Sequence, residues 1–176
     1  MWIETFTGIA FPVKEVRPEL INIDDIAHAL SMVCRYAGHC RRFYSVAEHS
    51  CHVHDVIASD ETSKDHSLAA LLHDASEAYI GDVTRPLKVC LPDYREIEKR
   101  LQSTIYERFE AVLTDCGLRV IKRADNMVLK AEAEQLMFSQ GALWDFGDIE
   151  AASVAVGCWS PDRAEREFRE RFYIYR

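Results

Sequence analysis

The chain has 176 residues, of which 48% are hydrophobic and 28% charged, the proportions of a globular protein with room for a substantial core. Its formal net charge of -8 excludes a general nucleic-acid-binding surface, because phosphate backbones call for clustered Lys and Arg. A few cations converging in a pocket can still hold a small anion.

Residues 1–20 contain Thr5, Phe6, Thr7 and Gly8, then Phe11, Pro12 and Val13. β-Branched and aromatic residues beside turn formers predict a short strand or hairpin. From Asn22 the spacing becomes helical. Asn22 or Asp24 is a fit cap for a helix to about residue 36, with Ile26, Leu30 and Val33 on one face and Gly38 as its end. A basic-aromatic segment, His39-Cys40-Arg41-Arg42-Phe43-Tyr44, leads to Ser45, and Ser45 with Glu48 is a capping-box signature for a second helix to about residue 58. A third helix is expected over 63–79, before a loop over 81–88.

Pro92-Asp93 introduces a long helix to about residue 116, closed by Gly117, and a fifth helix spans about 118–139. After a looser connector with Gly141 and Gly147, residues 149–156 read as a short helix, and Ser160-Pro161-Asp162 caps a last one to about residue 173. The expected fold is one all-α domain over residues 1–176, a compact bundle of about six helices with a short N-terminal extended segment. No apolar run approaches the roughly 18 residues that span a membrane. The six cysteines include no Cys-x-x-Cys pair, and the N-terminus is not signal-like. Reduced thiols in a cytoplasmic protein are therefore expected.

Helical projection separates ordinary polar residues from unusual ones. In the second helix His49 falls among Val46, Val53, Val56 and Ile57, with His52 at the edge of that arc and His54 and Asp55 outside it. Such a histidine is commonly a hydrogen-bonded core residue, and less often a ligand. In the fifth helix Asp125 falls among Ile121, Val128, Leu129 and Leu136. A carboxylate taken out of water needs a cation, a metal or donors, so a salt bridge and metal coordination both stay open. In the third helix Leu68, Leu71, Leu72, Ala75 and Tyr79 form the apolar stripe, with His73, Asp74 and Glu77 opposite. Alone that is a solvated face. If other helices cover it, the i,i+3 and i,i+4 spacing brings all three residues to one locus. Two imidazoles and two carboxylates from three helices suit a divalent transition metal that keeps open positions.

The order His49, His73-Asp74, Asp125 resembles the signature of the HD-domain metal-dependent phosphohydrolases. The wider pattern is similar to the branch of 5′-deoxynucleotidases and phage deoxynucleotide phosphohydrolases. It comprises Arg35, the phrase Phe43-Tyr44-Ser45-Val46-Ala47-Glu48-His49-Ser50, and His73-Asp74-Ala75-Ser76-Glu77 followed by Gly81-Asp82 and Lys88. The resemblance covers about residues 24–138. It implies that His49, His73, Asp74 and Asp125 hold a divalent metal, Co, Mn or Zn, with Mg as the alternative. It also implies that Glu77 handles the attacking water, Asp82 contacts the sugar or assists at the phosphate, and Arg35 and Lys88 neutralise phosphate oxygens.

Where some relatives carry Trp after the Arg, against the ribose 2′-hydroxyl, this chain has Tyr36. Before the resemblance is considered, Arg35 and Lys88 can equally be surface cations. The expected function is hydrolysis of deoxynucleoside mono-, di- or triphosphates, with dATP, dADP or dAMP as candidates, trimming a nucleotide pool. The expected partner is a small-molecule nucleotide, with neither a nucleic-acid polymer nor a membrane. Trp144, Trp159 and Tyr173 are expected to complete the monomer core, with a homo-oligomer interface as their alternative role. A cyclic-nucleotide or alarmone phosphodiesterase and a catalytically silent nucleotide-binding module are the alternatives.

Overall fold

The computed structural model describes residues 1–111 and 113–175. It is mainly α-helical and compact, with a small antiparallel hairpin of β1 (Ile3–Glu4) and β2 (Ala10–Phe11), in which Ile3 pairs with Phe11 and Glu4 with Ala10. The hairpin is tied down by Asp25, whose carboxylate accepts hydrogen bonds from the Thr7 amide and hydroxyl.

The first two helices are α1 (Ile23–Met32) and α2 (Val46–Ala58). Asn22 caps α1 by accepting from the Asp24 amide, and Ser45 caps α2 by accepting from the Glu48 amide at 3.1 Å. The expected continuation of α1 to residue 36 does not occur. Cys34 bridges Ser45 in antiparallel fashion, Val46 donates to the Val33 carbonyl, and Arg35 donates to that of Tyr44. Pairing with residues 44–46 thus replaces the helical ladder.

Nearly every residue of α2 is buried, because α1, α3 (Ser67–Leu71), α7 (Asp115–Leu136) and α8 (Pro161–Tyr173) surround it. His52 and His54 are therefore buried as well as His49, although periodicity put His54 outside the apolar arc. Phe11, Ile26, Leu30, Ala47, Leu72, Leu101, Ile105 and Phe168 form the centre of the main core.

The third expected helix is divided. After α3 the chain makes tight turns through residues 72–76 before α4 (Glu77–Ile80). Gln102, on α6 (Pro92–Arg108), causes the break. Its amide nitrogen donates to the Leu72 carbonyl at 2.7 Å, and its amide oxygen accepts from the Ser76 amide at 3.1 Å. Leu72 and Ser76 are four apart, the pair that an uninterrupted helix would bond to each other, so a side chain has been inserted into the ladder.

The short α5 (Arg85–Lys88) follows α4. The helix α7 starts earlier than expected, with Thr114 capping it through the Gly117 amide. Gly117 lies inside the first turn because a Cβ there would come within 2.7 Å of the His66 ring.

Residues 149–156 form no helix. They lie as an irregular strap whose backbone is satisfied by neighbours: Ala152 donates to the Met127 carbonyl, Gln135 bonds both Val154 and Val156, and Lys130 donates to Ile149. The strap ends on Glu48, which is fully buried and accepts from the amides of Gly157, Cys158 and Trp159. Glu48 therefore completes only half of the expected capping box. Among the described residues, all six cysteines are free, and no helix is long and apolar enough to cross a membrane.

Candidate metal centre and its cleft

Three structural features deliver the candidate ligands to one place. Helix α2 presents His49 from the centre of the fold, the turns over 72–76 present His73 and Asp74, and α7 presents Asp125. The Gln102 insertion matters here, because the tight turns carry His73-Asp74 out of a continuous helix face. These residues are half-buried, and Glu77 is only 4% exposed, so the face is not solvated.

His49 Nε2 lies 3.3 Å from His73 Nε2, 3.6 Å from Asp74 Oδ2 and 3.3 Å from Asp125 Oδ1, while His73 Nε2 lies 3.2 Å from Asp74 Oδ2. Among the described residues, His49, His73 and Asp74 are a group whose donor atoms all lie within 4.8 Å of one another and could hold a metal ion. Donors placed about 2.0–2.2 Å from a zinc-sized ion are separated by about 3–3.5 Å, which matches these spacings. Asp125 reaches the group through His49. Its other oxygen is held by Lys122 at 2.6 Å and Arg85 at 3.1 Å, so the salt bridge and the approach to the site coexist.

The imidazoles are oriented from behind. His73 Nδ1 donates to the Ala70 carbonyl at 2.8 Å, and His49 Nδ1 donates to Glu132 Oε1 at 2.6 Å. Each ring thereby turns Nε2 toward the other donors, as in metal sites whose outer partners fix the tautomer. Burial and the Arg35 cation push the His49 imidazolium down in pKa. Glu132 and hydrogen bonds to Asp125 and Glu132 outweigh them and bring it up to about 9. The locus therefore attracts positive charge, either a proton on Nε2 or a divalent cation in its place. Burial pushes the Asp74 and Asp125 carboxyls up, yet the neighbouring histidines hold both well below the usual carboxylate range. Ionised carboxylates beside inward-facing imidazole nitrogens fit a divalent metal.

Glu132 was not singled out by periodicity, yet it is fully buried and organises the floor of the site. Besides His49, it accepts from the hydroxyls of Tyr44, at 2.7 Å, and Tyr36. Its Oε2 lies 3.4 Å from Arg35 Nε, while Arg35 Nη1 lies 3.5 Å from Asp74. Burial raises the Glu132 carboxyl, but Arg35, His49 and these hydrogen bonds bring it down to about 2. Its i,i+7 spacing from Asp125 was the available clue, since both then project from one side of α7.

Arg35 is buried, and Tyr36 and Ala37 beside it adopt left-handed backbone conformations, with φ of 58° and 50°. That geometry costs about 1 kcal/mol or more per residue and is often found at functional sites.

Arg35, Tyr36, Asp74, Glu77, Asp82, Lys88 and Asp125 line one cleft of about 960 Å³. Glu77 Oε2 is buried without a hydrogen-bond partner, while its Oε1 lies 3.2 Å from Lys88 Nζ. Burial, Asp74 and Asp82 raise the Glu77 carboxyl well above its ordinary value. Lys88 Nζ also lies 2.5 Å from Glu98, so this expected phosphate ligand is held by two carboxylates. Asp82 sits half-buried just after α4. Of the three C-terminal aromatics, Trp159 packs against the main core, Trp144 lines the cleft, and Tyr173 is exposed.

No family model matches the chain. It is 37% identical over 173 residues to the uncharacterized protein YfdR of Escherichia coli, an alignment spanning 97% of this chain and 93% of that protein. It is also 37% identical over 142 residues to the uncharacterized protein RCAP_rcc00048 of Rhodobacter capsulatus, covering 77% of this chain and 72% of that one. The chain belongs to the same protein family as YfdR.

Proposed function

We propose that this chain is a metal-dependent phosphohydrolase of the HD-domain type acting on deoxynucleotides, with deoxyadenine mono-, di- or triphosphates as candidate substrates. The observation that supports this reading best is the convergence of His49 Nε2, His73 Nε2 and Asp74 Oδ2, with Asp125 beside them, where Asp74 and Asp125 line the same cleft as Glu77, whose Oε2 is unpartnered. His49, His73, Asp74 and Asp125 are the residues that would hold a divalent ion such as Co, Mn or Zn. When bound, such an ion lowers the pKa of water and polarises a phosphoryl oxygen.

The chain's own groups divide the remaining work. Glu77, in its ionised form, receives a proton from the attacking water at Oε2 and orients that water for in-line displacement. Arg35, buried beside Asp74 and Glu132, offers its guanidinium to phosphate oxygens. Lys88 is tethered to Glu77 and Glu98, and it exchanges one of these partners for phosphate when substrate enters. Arg85 and Lys122 add positive charge at the same rim. Asp82, which lines the same cleft, is the residue that would accept from a sugar hydroxyl.

The test is a panel of ribo- and deoxynucleoside mono-, di- and triphosphates with Co²⁺, Mn²⁺ or Zn²⁺, products being identified chromatographically. Release of orthophosphate, or of triphosphate plus nucleoside, that stops with chelator is expected. Metal-independent hydrolysis refutes the mechanism, and turnover confined to cyclic nucleotides or alarmones moves the chain to a phosphodiesterase role. Glu77→Gln should bind metal but lose turnover; unchanged turnover removes Glu77 from its role.

A further inference from the structure

The cleft has a second wall that the phosphate chemistry does not use. Residues 137–149, after α7, make no helix but are held by successive turns: Gln140 donates to Met137, Ala142 to Ser139, Trp144 to Gly141 and Ile149 to Phe146. The Gly147 amide donates to Asp145 Oδ1 at 3.0 Å. Gly141 is buried with φ of 80°, and a Cβ there would stand 3.4 Å from the Phe146 ring, so Phe146 is seated directly over its backbone. The Lys130 ammonium lies 6.0 Å from the centre of that ring.

Trp144 then stacks on Phe146, centroids 5.8 Å apart at 20°, and meets Tyr36 edge-on at 5.9 Å. Among the described residues, the hydrophobic clusters of the core do not draw on Trp144 or Phe146. Both are half-buried and line the cleft.

The surface is continuous from one chemistry to the other. Asp74 pairs with Arg35, Arg35 adjoins Tyr36, and Tyr36 touches Trp144. Cations and an aromatic ledge therefore adjoin along the wall of one cleft, joined through Arg35 and Tyr36. A phosphorylated ligand with a flat, polarisable ring satisfies both, whereas a sugar phosphate or inorganic phosphate leaves the ledge wet.

We propose that Trp144, backed by Phe146, is the stacking platform for the heterocyclic base of a nucleotide whose phosphate lies toward Arg35 and the metal-ligand group. This rests on the reading under Proposed function and adds to it which part of the substrate the C-terminal segment recognises. Stacking on an aromatic face tolerates any base, so the platform discriminates nucleotide from sugar phosphate more strongly than one base from another.

The test measures equilibrium binding of dAMP and of deoxyribose 5-phosphate to the protein in the presence of Mn²⁺, with turnover blocked by Glu77→Gln throughout, for the otherwise wild-type chain, Trp144→Ala and Trp144→Phe. Binding of dAMP should weaken at least fivefold in Trp144→Ala, the low end for a base stacked on an aromatic ring. Trp144→Phe should restore most of it, and deoxyribose 5-phosphate should bind all three proteins within twofold. Mn²⁺ affinity should not change, and dAMP should quench tryptophan fluorescence in the otherwise wild-type chain but not in Trp144→Phe. Equal weakening of both ligands overturns the proposal, since Trp144 then only shapes the loop. Undiminished dAMP binding in Trp144→Ala also overturns it. If the otherwise wild-type chain binds Mn²⁺ but neither phosphorylated ligand, the phosphohydrolase reading falls first.

Discussion

Replacing Gln102 with Ala removes the side chain that interrupts the helix at Leu72 and Ser76. Both hydrogen bonds are lost, at 2.7 Å to the Leu72 carbonyl and 3.1 Å from the Ser76 amide, at residues that are 0% and 2% exposed. A buried polar group left unpaired costs about 1–3 kcal/mol. The Leu72 carbonyl keeps the Ala75 amide at 3.0 Å, so the Ser76 amide is the group left unpaired, and unless it finds water the destabilisation is about 2 kcal/mol, a fall in Tm of roughly 4–8 °C for a chain of this length. The alternative is that Leu72 and Ser76 bond each other and the helix closes through residues 72–76. That recovers stability but moves His73 and Asp74 away from His49.

Either response disturbs the group of donors, so affinity for Mn²⁺ or Zn²⁺ should fall at least tenfold, the lower range for losing an outer-shell partner. Gln102→Glu should be no better, because a carboxylate can accept from Ser76 but cannot donate to Leu72. Thermal unfolding and calorimetric metal titration of the three proteins check this. Wild-type metal affinity in Gln102→Ala, whatever its Tm, refutes the assignment of Gln102 as the residue that positions His73-Asp74.

Glu132→Gln removes the anion behind His49 and Arg35 while keeping the shape of the side chain, so metal affinity should fall about 10- to 100-fold; an unchanged titration would make Glu132 a purely structural acid. Glu48→Gln turns one acceptor of the strap amides into a donor facing them, in a fully buried site, at a cost of about 2 kcal/mol. Its Tm should drop by roughly 4–8 °C, and a drop below 1 °C would contradict this account of the strap.

Asp55 receives two 2.8 Å bonds from Arg171, which join α2 to α8, and one from His54. Burial raises its carboxyl, but these partners outweigh burial and hold it well below the ordinary carboxylate range. Because the folded pKa is depressed, the stabilisation is complete above about pH 4, the unfolded value, and is lost as pH falls through the folded one. The pair is half-exposed, so Asp55→Asn should cost on the order of 1 kcal/mol near neutrality and less at acid pH. A pH-independent difference in Tm would refute the assignment.

The fold class was legible because α1, α2 and α8 carry strong caps, at Asn22, Ser45 and Ser160, in front of regular apolar periodicity. The breaks were not legible, because each is caused by pairing that local spacing does not record: backbone pairing with residues 44–46 ends α1, and distant side chains cause the others. Gln102 divides the third expected helix, and Gln135, Lys130 and Glu48 hold residues 149–159 out of a helix. Local spacing cannot register partners that arrive from another helix.

The candidate site was partly legible for a similar reason. His49 and Asp125 are recognisable as polar residues on apolar faces, and the structure brings them to His73 and Asp74. Glu132 sits among small and charged residues, Ala131, Ala133 and Glu134, which dilute its pattern until Arg35 and two tyrosines are packed around it. Trp144 was expected to complete the core and instead faces the cleft, because the turns at Gln140 and Gly141 redirect the chain after α7.

The most direct test of the central claim is a calorimetric titration of Mn²⁺, Co²⁺ and Zn²⁺ into metal-stripped protein, repeated with His73→Ala and Asp74→Ala. The arrangement of His49, His73 and Asp74 predicts binding of a divalent ion in the wild type and a loss of roughly 100-fold or more in each variant, beyond what an outer-shell change produces. No binding in the wild type, or equal binding in all three proteins, would contradict the assignment of this group as a metal centre.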